Sequence, residues 1–160
     1  MHTFLRRGFS LVEVVVAVSV IALALVALTT GFNRFLRSEL DNTTDIKAIL
    51  LLEEGMEITR LFRDDSYNSS LNIFTINTPY YFSFNNGAWS ATTTPQTYID
   101  GLFDRQFSLS SVYRDSNNDI ASLGTIDVNT KKVTVSVSYS LHGATTTRLL
   151  SAYFTNLFAN

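Results

Sequence analysis

Hydrophobic residues are distributed along this chain in three successive patterns. From Phe9 to Phe32 the sequence reads FSLVEVVVAVSVIALALVALTTGF, nearly unbroken apolar with Glu13 as its one charge. A helix of that length rises about 36 Å at about 1.5 Å per residue, enough to cross a bilayer. Beyond Phe32 the apolar positions thin to Phe35, Leu36 and Leu40, then Ile46, Ile49, Leu50, Leu52, Met56, Leu61 and Phe62. That spacing predicts a continuing amphipathic helix. Propensity dips at Asp41-Asn42-Thr43-Thr44, and Asp64-Asp65-Ser66 followed by Asn68-Ser69-Ser70 marks the stop.

After residue 65 the period becomes two. Val133, Val135, Val137 and Tyr139 alternate with Thr134, Ser136 and Ser138, the pattern of a strand with one face on a core and one in water. Further strands are predicted at 107–113, 125–128 and 147–154, with shorter ones within 71–91, and Asn129–Lys132 reads as a hairpin turn. Together they suggest an antiparallel meander laid across the second half of the helix.

Composition narrows the function classes. The 160 residues carry 12 basic and 14 acidic side chains, a net −2, so there is no basic footprint for nucleic acid; 46% hydrophobic content argues against disorder. With no cysteine there is no disulfide framework, thiolate metal site or thiol nucleophile.

The flanks of the apolar run are informative. Met1–Gly8 (MHTFLRRG) is short and carries Arg6 and Arg7, as a secretory signal would, but the run is too long for a cleaved signal, and Ala22, Ala24 and Ala27 lie inside it. A retained or differently cleaved anchor fits better. Charge alone does not orient it, since Arg34 and Arg37 balance Arg6 and Arg7. Glu13 is costly in lipid, about 2.5–3.5 kcal/mol at a helix centre and less near the interface. It is either a functional group with a partner or a carboxylate that stays wet among headgroups.

Gly8-Phe9-Ser10-Leu11-Val12-Glu13 resembles the processing motif of type IV pilins and type II secretion pseudopilins: a basic leader, Gly, an aromatic residue, and Glu fifth in the mature chain. The resemblance implies a prepilin peptidase that cuts between Gly8 and Phe9 and methylates the Phe9 amine, and it makes that amine a cation for Glu13, which would set register between subunits. It also implies a cytoplasmic leader at 1–8, a membrane and polymerisation helix at 9–32, an amphipathic helix at 33–64 and an extracytoplasmic β-rich domain at 65–160. The fold expected is α+β and pilin-like, a long N-terminal helix packed on a C-terminal antiparallel sheet. Partners would be the peptidase, other pilin or pseudopilin subunits and, before assembly, membrane lipid. Many major pilins have a proline near the position of Thr30 and a C-terminal disulfide. This chain has neither, which favours a minor subunit. The alternative is a signal-anchored single-span protein whose β-rich domain captures a ligand, which explains the anchor but not Gly8 and Glu13.

No other motif asks for catalysis, and neither an enzyme nor a cofactor is expected. His2 and His142 cannot form a pair once a leader is lost. Glu53 and Glu57 share a helix face, read as solvated. Asp115, Asn117 and Asp119 alternate as at the start of a calcium loop, but Ile120 stands where such a loop needs Gly and Ile126 where it needs an acid. An Asx-rich turn is the better reading. Tyr80, Tyr81, Phe82, Phe84 and Trp89 read as core aromatics rather than a sticky surface, and Lys131, Lys132 and Arg148 as the one local basic patch to examine.

Overall fold

The computed structural model describes Gly8 and residues 10–157. Helix α1 runs Leu11–Asp65. Ser10 starts it: the Ser10 hydroxyl accepts from the Val12 amide at 3.3 Å and its carbonyl from the Val14 amide at 3.2 Å, which satisfies donors a helix start leaves open. At the other end Ser66 turns extended and caps a short π-helical turn, Tyr67–Leu71, by accepting from the Ser69 amide. Six strands follow: β1 Tyr80–Asn85, β2 Ala88–Thr92, β3 Asp104–Arg114, β4 Ile120–Ala121, β5 Thr125–Leu141 and β6 Ala144–Thr155. The chain divides into two compact units, Met1–Thr43 and Thr44–Asn160.

In the second unit the fold is the predicted α+β arrangement, helix against antiparallel sheet. Ala48, Leu52, Gly55, Met56, Thr59 and Phe62 are buried on α1, spaced by three and four, so one helix face is committed to the sheet. Phe107 and Leu109 on β3, Val133, Val135, Val137 and Tyr139 on β5, and Phe154 on β6 meet it. The alternation read in β5 therefore sorts core from solvent: on the outer face Thr134 bonds Ser151 and Ser138 bonds Thr147, each at 2.9 Å.

Two sequence expectations are corrected. The sheet order is β2-β1-β3-β5-β6 with β4 beside β3, so it is not a simple meander. Asn86 and Gly87 both take positive φ and close a tight hairpin that puts β2 at the edge; Ile99 and Leu102 then pack on the core and bring the chain back beside β1 instead. Nor is Asn129–Lys132 a hairpin turn. It lies inside β5, where the partners of β3 jump from Lys131 to Asp127 and leave Val128–Thr130 as a bulge. The bulge is held from both sides: the Asn129 amide donates to Asp127 at 2.9 Å, its carbonyl accepts from Asn156 at 2.8 Å, and buried Thr130 bonds Thr155. The actual β5–β6 turn is His142-Gly143, both at positive φ.

Helix and sheet approach closely at Gly55. A Cβ there would lie 2.8 Å from Val135 Cγ1 and 3.3 Å from the Phe82 ring. Val135 is β-branched and fully buried, so it has little room to yield. Gly55→Leu is expected to destabilise by about 1–3 kcal/mol through overpacking, measured as a lower denaturation midpoint of the sheet signal; unchanged stability would mean that the helix can back away.

A second tie is ionic. Arg148 on β6 grips Asp45 of α1 through Nη2–Oδ2 at 2.6 Å and Nε–Oδ1 at 3.1 Å, and the Tyr139 hydroxyl donates to the same carboxylate. Hydrogen bonds from Arg148 first and Tyr139 second hold the Asp45 carboxyl below its ordinary range. For Asp127, burial pushes the carboxyl up, but bonds from Arg114 at 2.6 Å, from Thr130 and from the Asn129 amide outweigh it and leave the group lowered. Carboxyls lowered by folding stabilise above their unfolded pKa of about 3.9, and that contribution disappears as pH falls through the folded values. The Tyr67 hydroxyl is the opposite case: buried, and without a hydrogen-bond partner among the described residues, it is pushed up to about 12 by desolvation and then by Asp127. Its contribution is complete below the ordinary phenol value and is lost as pH rises toward 12. Acid denaturation followed by circular dichroism is therefore expected to be shallower in Asp45→Asn. Tyr67→Phe should be neutral or stabilising at pH 7 and should flatten the alkaline limb.

Candidate functional site

The N-terminal unit has to be understood by itself. From Leu11 to Phe32 its side chains are exposed, with Leu11 at 81%, Leu23 at 71% and Leu28 at 69%. A surface so apolar belongs in lipid or against another helix. Its hydroxyl groups at Ser19, Thr29 and Thr30 are satisfied within the helix. Ser19 donates to the Val15 carbonyl at 2.8 Å, Thr30 to that of Val26 at 2.8 Å, and Thr29 to those of Leu25 and Val26 at 3.0 Å. Gly31 stays helical, so the segment continues without a break.

Glu13 lies in the first turn of α1, where the exposed amides and the helix dipole favour a negative charge. It is exposed, and among the described residues it has no hydrogen-bond or ion-pair partner. Gly8 is exposed, and among the described residues nothing lies within 4 Å of where a Cβ would stand. Phe9, the expected site of cleavage and methylation, lies outside the described residues, as does its amine. Helical geometry adds a feature missed in the sequence. Ala17, Val20, Ala24, Ala27 and Gly31 follow Glu13 at alternating steps of four and three, so the carboxylate heads a stripe of mostly small residues. That spacing was available in the sequence, hidden by the uniform hydrophobicity around it. Small residues on one face let helix backbones approach closely in an apolar medium.

The other residues singled out disperse. Glu53 is exposed, Glu57 pairs with Arg60, and Asp64 pairs with Arg63 at 2.7 Å. Glu54, not marked in the sequence as different from its neighbours, reaches a buried arginine on β3, Arg105, at 2.7 Å. Its signal was long-range and so invisible to helical spacing. Asp115 uses one oxygen to accept from the amides of Asn117 at 2.9 Å and Asp119 at 3.0 Å, the geometry of an Asx-type turn closing β3 to β4. Among the described residues no three His, Cys, Asp or Glu side chains gather at metal-binding range. His142 is part of the β5–β6 turn. Lys131 and Lys132 are adjacent on β5 and project from opposite faces, while Arg148 is held by Asp45. Of the aromatics, Phe82 is core, Tyr80 and Trp89 pack against it, and Phe84 is 57% exposed beside Trp89.

With this geometry in place, one comparison bears on it. Residues 4–29 match the family model described as the prokaryotic N-terminal methylation motif. The chain thus carries the hallmark of type IV pilin and pseudopilin precursors, and the matched stretch spans Gly8, Glu13 and most of the exposed apolar helix. No curated protein and no solved structure matches the chain.

Proposed function

We propose that the chain is a minor pilin or pseudopilin: a structural subunit made as a prepilin, cut between Gly8 and Phe9, methylated on Phe9, and assembled into a pilus-like or pseudopilus fibre. The observation that carries this is the combination, within the matched motif, of an apolar helix exposed along its length and a single carboxylate heading its small-residue stripe. The leader at 1–8 and its two arginines would stay in the cytoplasm. Residues 9–32 would hold the subunit in the cytoplasmic membrane, with the β-rich domain on the far side.

Assembly would then move the exposed helix from lipid to neighbouring helices. Little hydrophobic gain separates those two environments, so packing at the small-residue face supplies the attraction. Glu13 supplies register: the free Phe9 amine of a neighbouring subunit is the cation that neutralises it, and a subunit shifted along the axis leaves both charges unpaired in an apolar surround. The absence of a helix-breaking proline and of a disulfide favours an accessory over an abundant subunit. Prepilin peptidase and other pilin subunits are the partners this requires.

Mass spectrometry of the membrane-extracted protein should find an N-terminus at methylated Phe9; one at Met1, or beyond Phe9, would contradict the reading. Gly8→Leu should leave the precursor uncut. Glu13→Ala should be processed normally yet reduce incorporation into sheared fibres by about tenfold or more, the scale of one broken charge pair in an apolar interior.

A further inference from the structure

The face of the sheet turned away from α1 is polar, and at one end it gathers two tyrosines, a carboxylate and an amide. Along the start of β3, buried Phe103, Arg105 and Phe107 alternate with half-buried Asp104 and Gln106, which therefore face outward. Strand pairing sets Gln106 beside Tyr81 of β1 and Asp104 beside Ser138 of β5, whose own neighbour on β6 is Thr147. Tyr81, read from sequence with the core aromatics, thus belongs to the outer face. The Gln106 amide nitrogen donates to Asp104 Oδ2 at 2.7 Å and to the Tyr81 hydroxyl at 3.2 Å.

Tyr98 closes this group from the side, on a turn with a fixed backbone. Ile99 and Phe103 exchange amide bonds at 2.8 and 3.0 Å, the Gly101 amide donates to the Tyr98 carbonyl at 3.1 Å, and Asp100 and Gly101 both take positive φ. Ile99 packs on the core, whereas Tyr98 is 58% exposed. Between Tyr98 and the strands is an open cavity of about 260 Å³, lined also by Asp104, Ser138, Ser140 and Thr145. Burial first, then Asp104 and Tyr98, push the Tyr81 hydroxyl above its ordinary range, so these three side chains lie within electrostatic reach of one another.

The hydrogen-bonding capacity left over decides the class of ligand. Among the described residues Asp104 Oδ1, Gln106 Oε1 and the Tyr98 hydroxyl have no partner, and the Tyr81 hydroxyl accepts from Gln106 with its own proton still to give. An anion would meet the Asp104 carboxylate, and a cation would use the acceptors but leave the hydroxyl donors idle. A sugar uses both kinds: each hydroxyl donates and accepts, neighbouring hydroxyls bond a carboxylate and an amide together, and the C–H face of the ring packs on an aromatic side chain. The volume lies below the range for drug-sized ligands and suits a single six-membered ring. We propose that this cavity binds one ring of a neutral saccharide, with Asp104 and Gln106 bonding its hydroxyls and Tyr98 covering its C–H face. The ring is either a free sugar or one unit of a polysaccharide.

The test uses the full chain in a polyoxyethylene detergent, which has no sugar headgroup, titrated with the methyl glycosides of glucose, galactose, mannose and N-acetylglucosamine. At least one should shift the backbone amide resonances of Asp104, Ser138 and Thr145 saturably, with a Kd of about 1–10 mM. A trisaccharide of the preferred ring that binds more tightly identifies a polysaccharide as the source, and equal binding identifies a free sugar; either supports the site. Choline and glucuronate, as the cationic and anionic probes, should bind about tenfold more weakly or not at all. Asp104→Asn keeps the shape but loses the charge-assisted bond and should weaken the preferred sugar about tenfold. Tyr98→Ala should abolish the shifts while Tyr98→Phe largely keeps them, and Thr145→Phe, at an exposed position, should fill the cavity and abolish them independently. The proposal is overturned if no glycoside gives a saturable shift up to about 50 mM, if choline or glucuronate binds as tightly as the best sugar, or if the shifts persist in both Tyr98→Ala and Thr145→Phe.

Discussion

The apolar surface of Leu11–Phe32 cannot be covered by the N-terminal unit itself, and most of what this chain does follows from that. Its hydroxyls have returned to their own helix and its side chains point outward on every side. A core helix of a soluble protein would bury one such face, and none is buried here. Lipid and other apolar helices are the two media that accept the surface, and a helix that exchanges one for the other needs only small differences in free energy to do so. Against that background a single carboxylate is decisive. Glu13 is tolerable in lipid only near the interface, and among helices only where a cation meets it.

The second unit is organised by a different constraint, the need to fix one helix face on a sheet that has no disulfide. Three contacts divide that task. Gly55 removes a side chain where Val135 would collide with it, which allows a close approach. The Asp45 carboxylate, gripped by Arg148 and Tyr139, ties the first turns of this part of α1 to β5 and β6. Glu54 and Arg105 make a third link deeper in. Apolar packing alone permits sliding; charge pairs of fixed geometry do not. Here β6 pairs along its length with β5, and the Asn156–Asn129 bond secures the point where it ends.

How far the sequence revealed this depended on the range of the interaction. Periodicity exposed α1 and the inward set of β5, because a helix face and a strand face are local repeats. The motif at Gly8 and Glu13 was legible for the same reason, being contiguous. Sheet order was not: the return of β3 beside β1 turns on Ile99 and Leu102 packing on a core assembled from distant segments. Asn129 has turn chemistry, so Asn129–Lys132 reads locally as a turn; the partners that make a bulge of Val128–Thr130 instead, Asp127 and Asn156, lie on either side of a hairpin. The burial of Arg105 has no local signature. One arginine in an alternating strand carries no mark of burial until Glu54 is known to face it.

The two carboxylates that matter most, Glu13 and Glu54, illustrate one rule in two settings. Each lies on α1 beside apolar surroundings: Glu54 is itself exposed but faces a buried cation, and Glu13 heads an apolar helix. Glu54 finds its cation within the chain, and the match is good enough that the guanidinium has no remaining use for an anion. Glu13 has none among the described residues, so its demand passes to whatever covers the helix. A charge satisfied internally stabilises a fold; one left over on an apolar helix selects a partner. On the proposed reading, that difference separates the part of this chain that holds the fold together from the N-terminal helix that would carry its function.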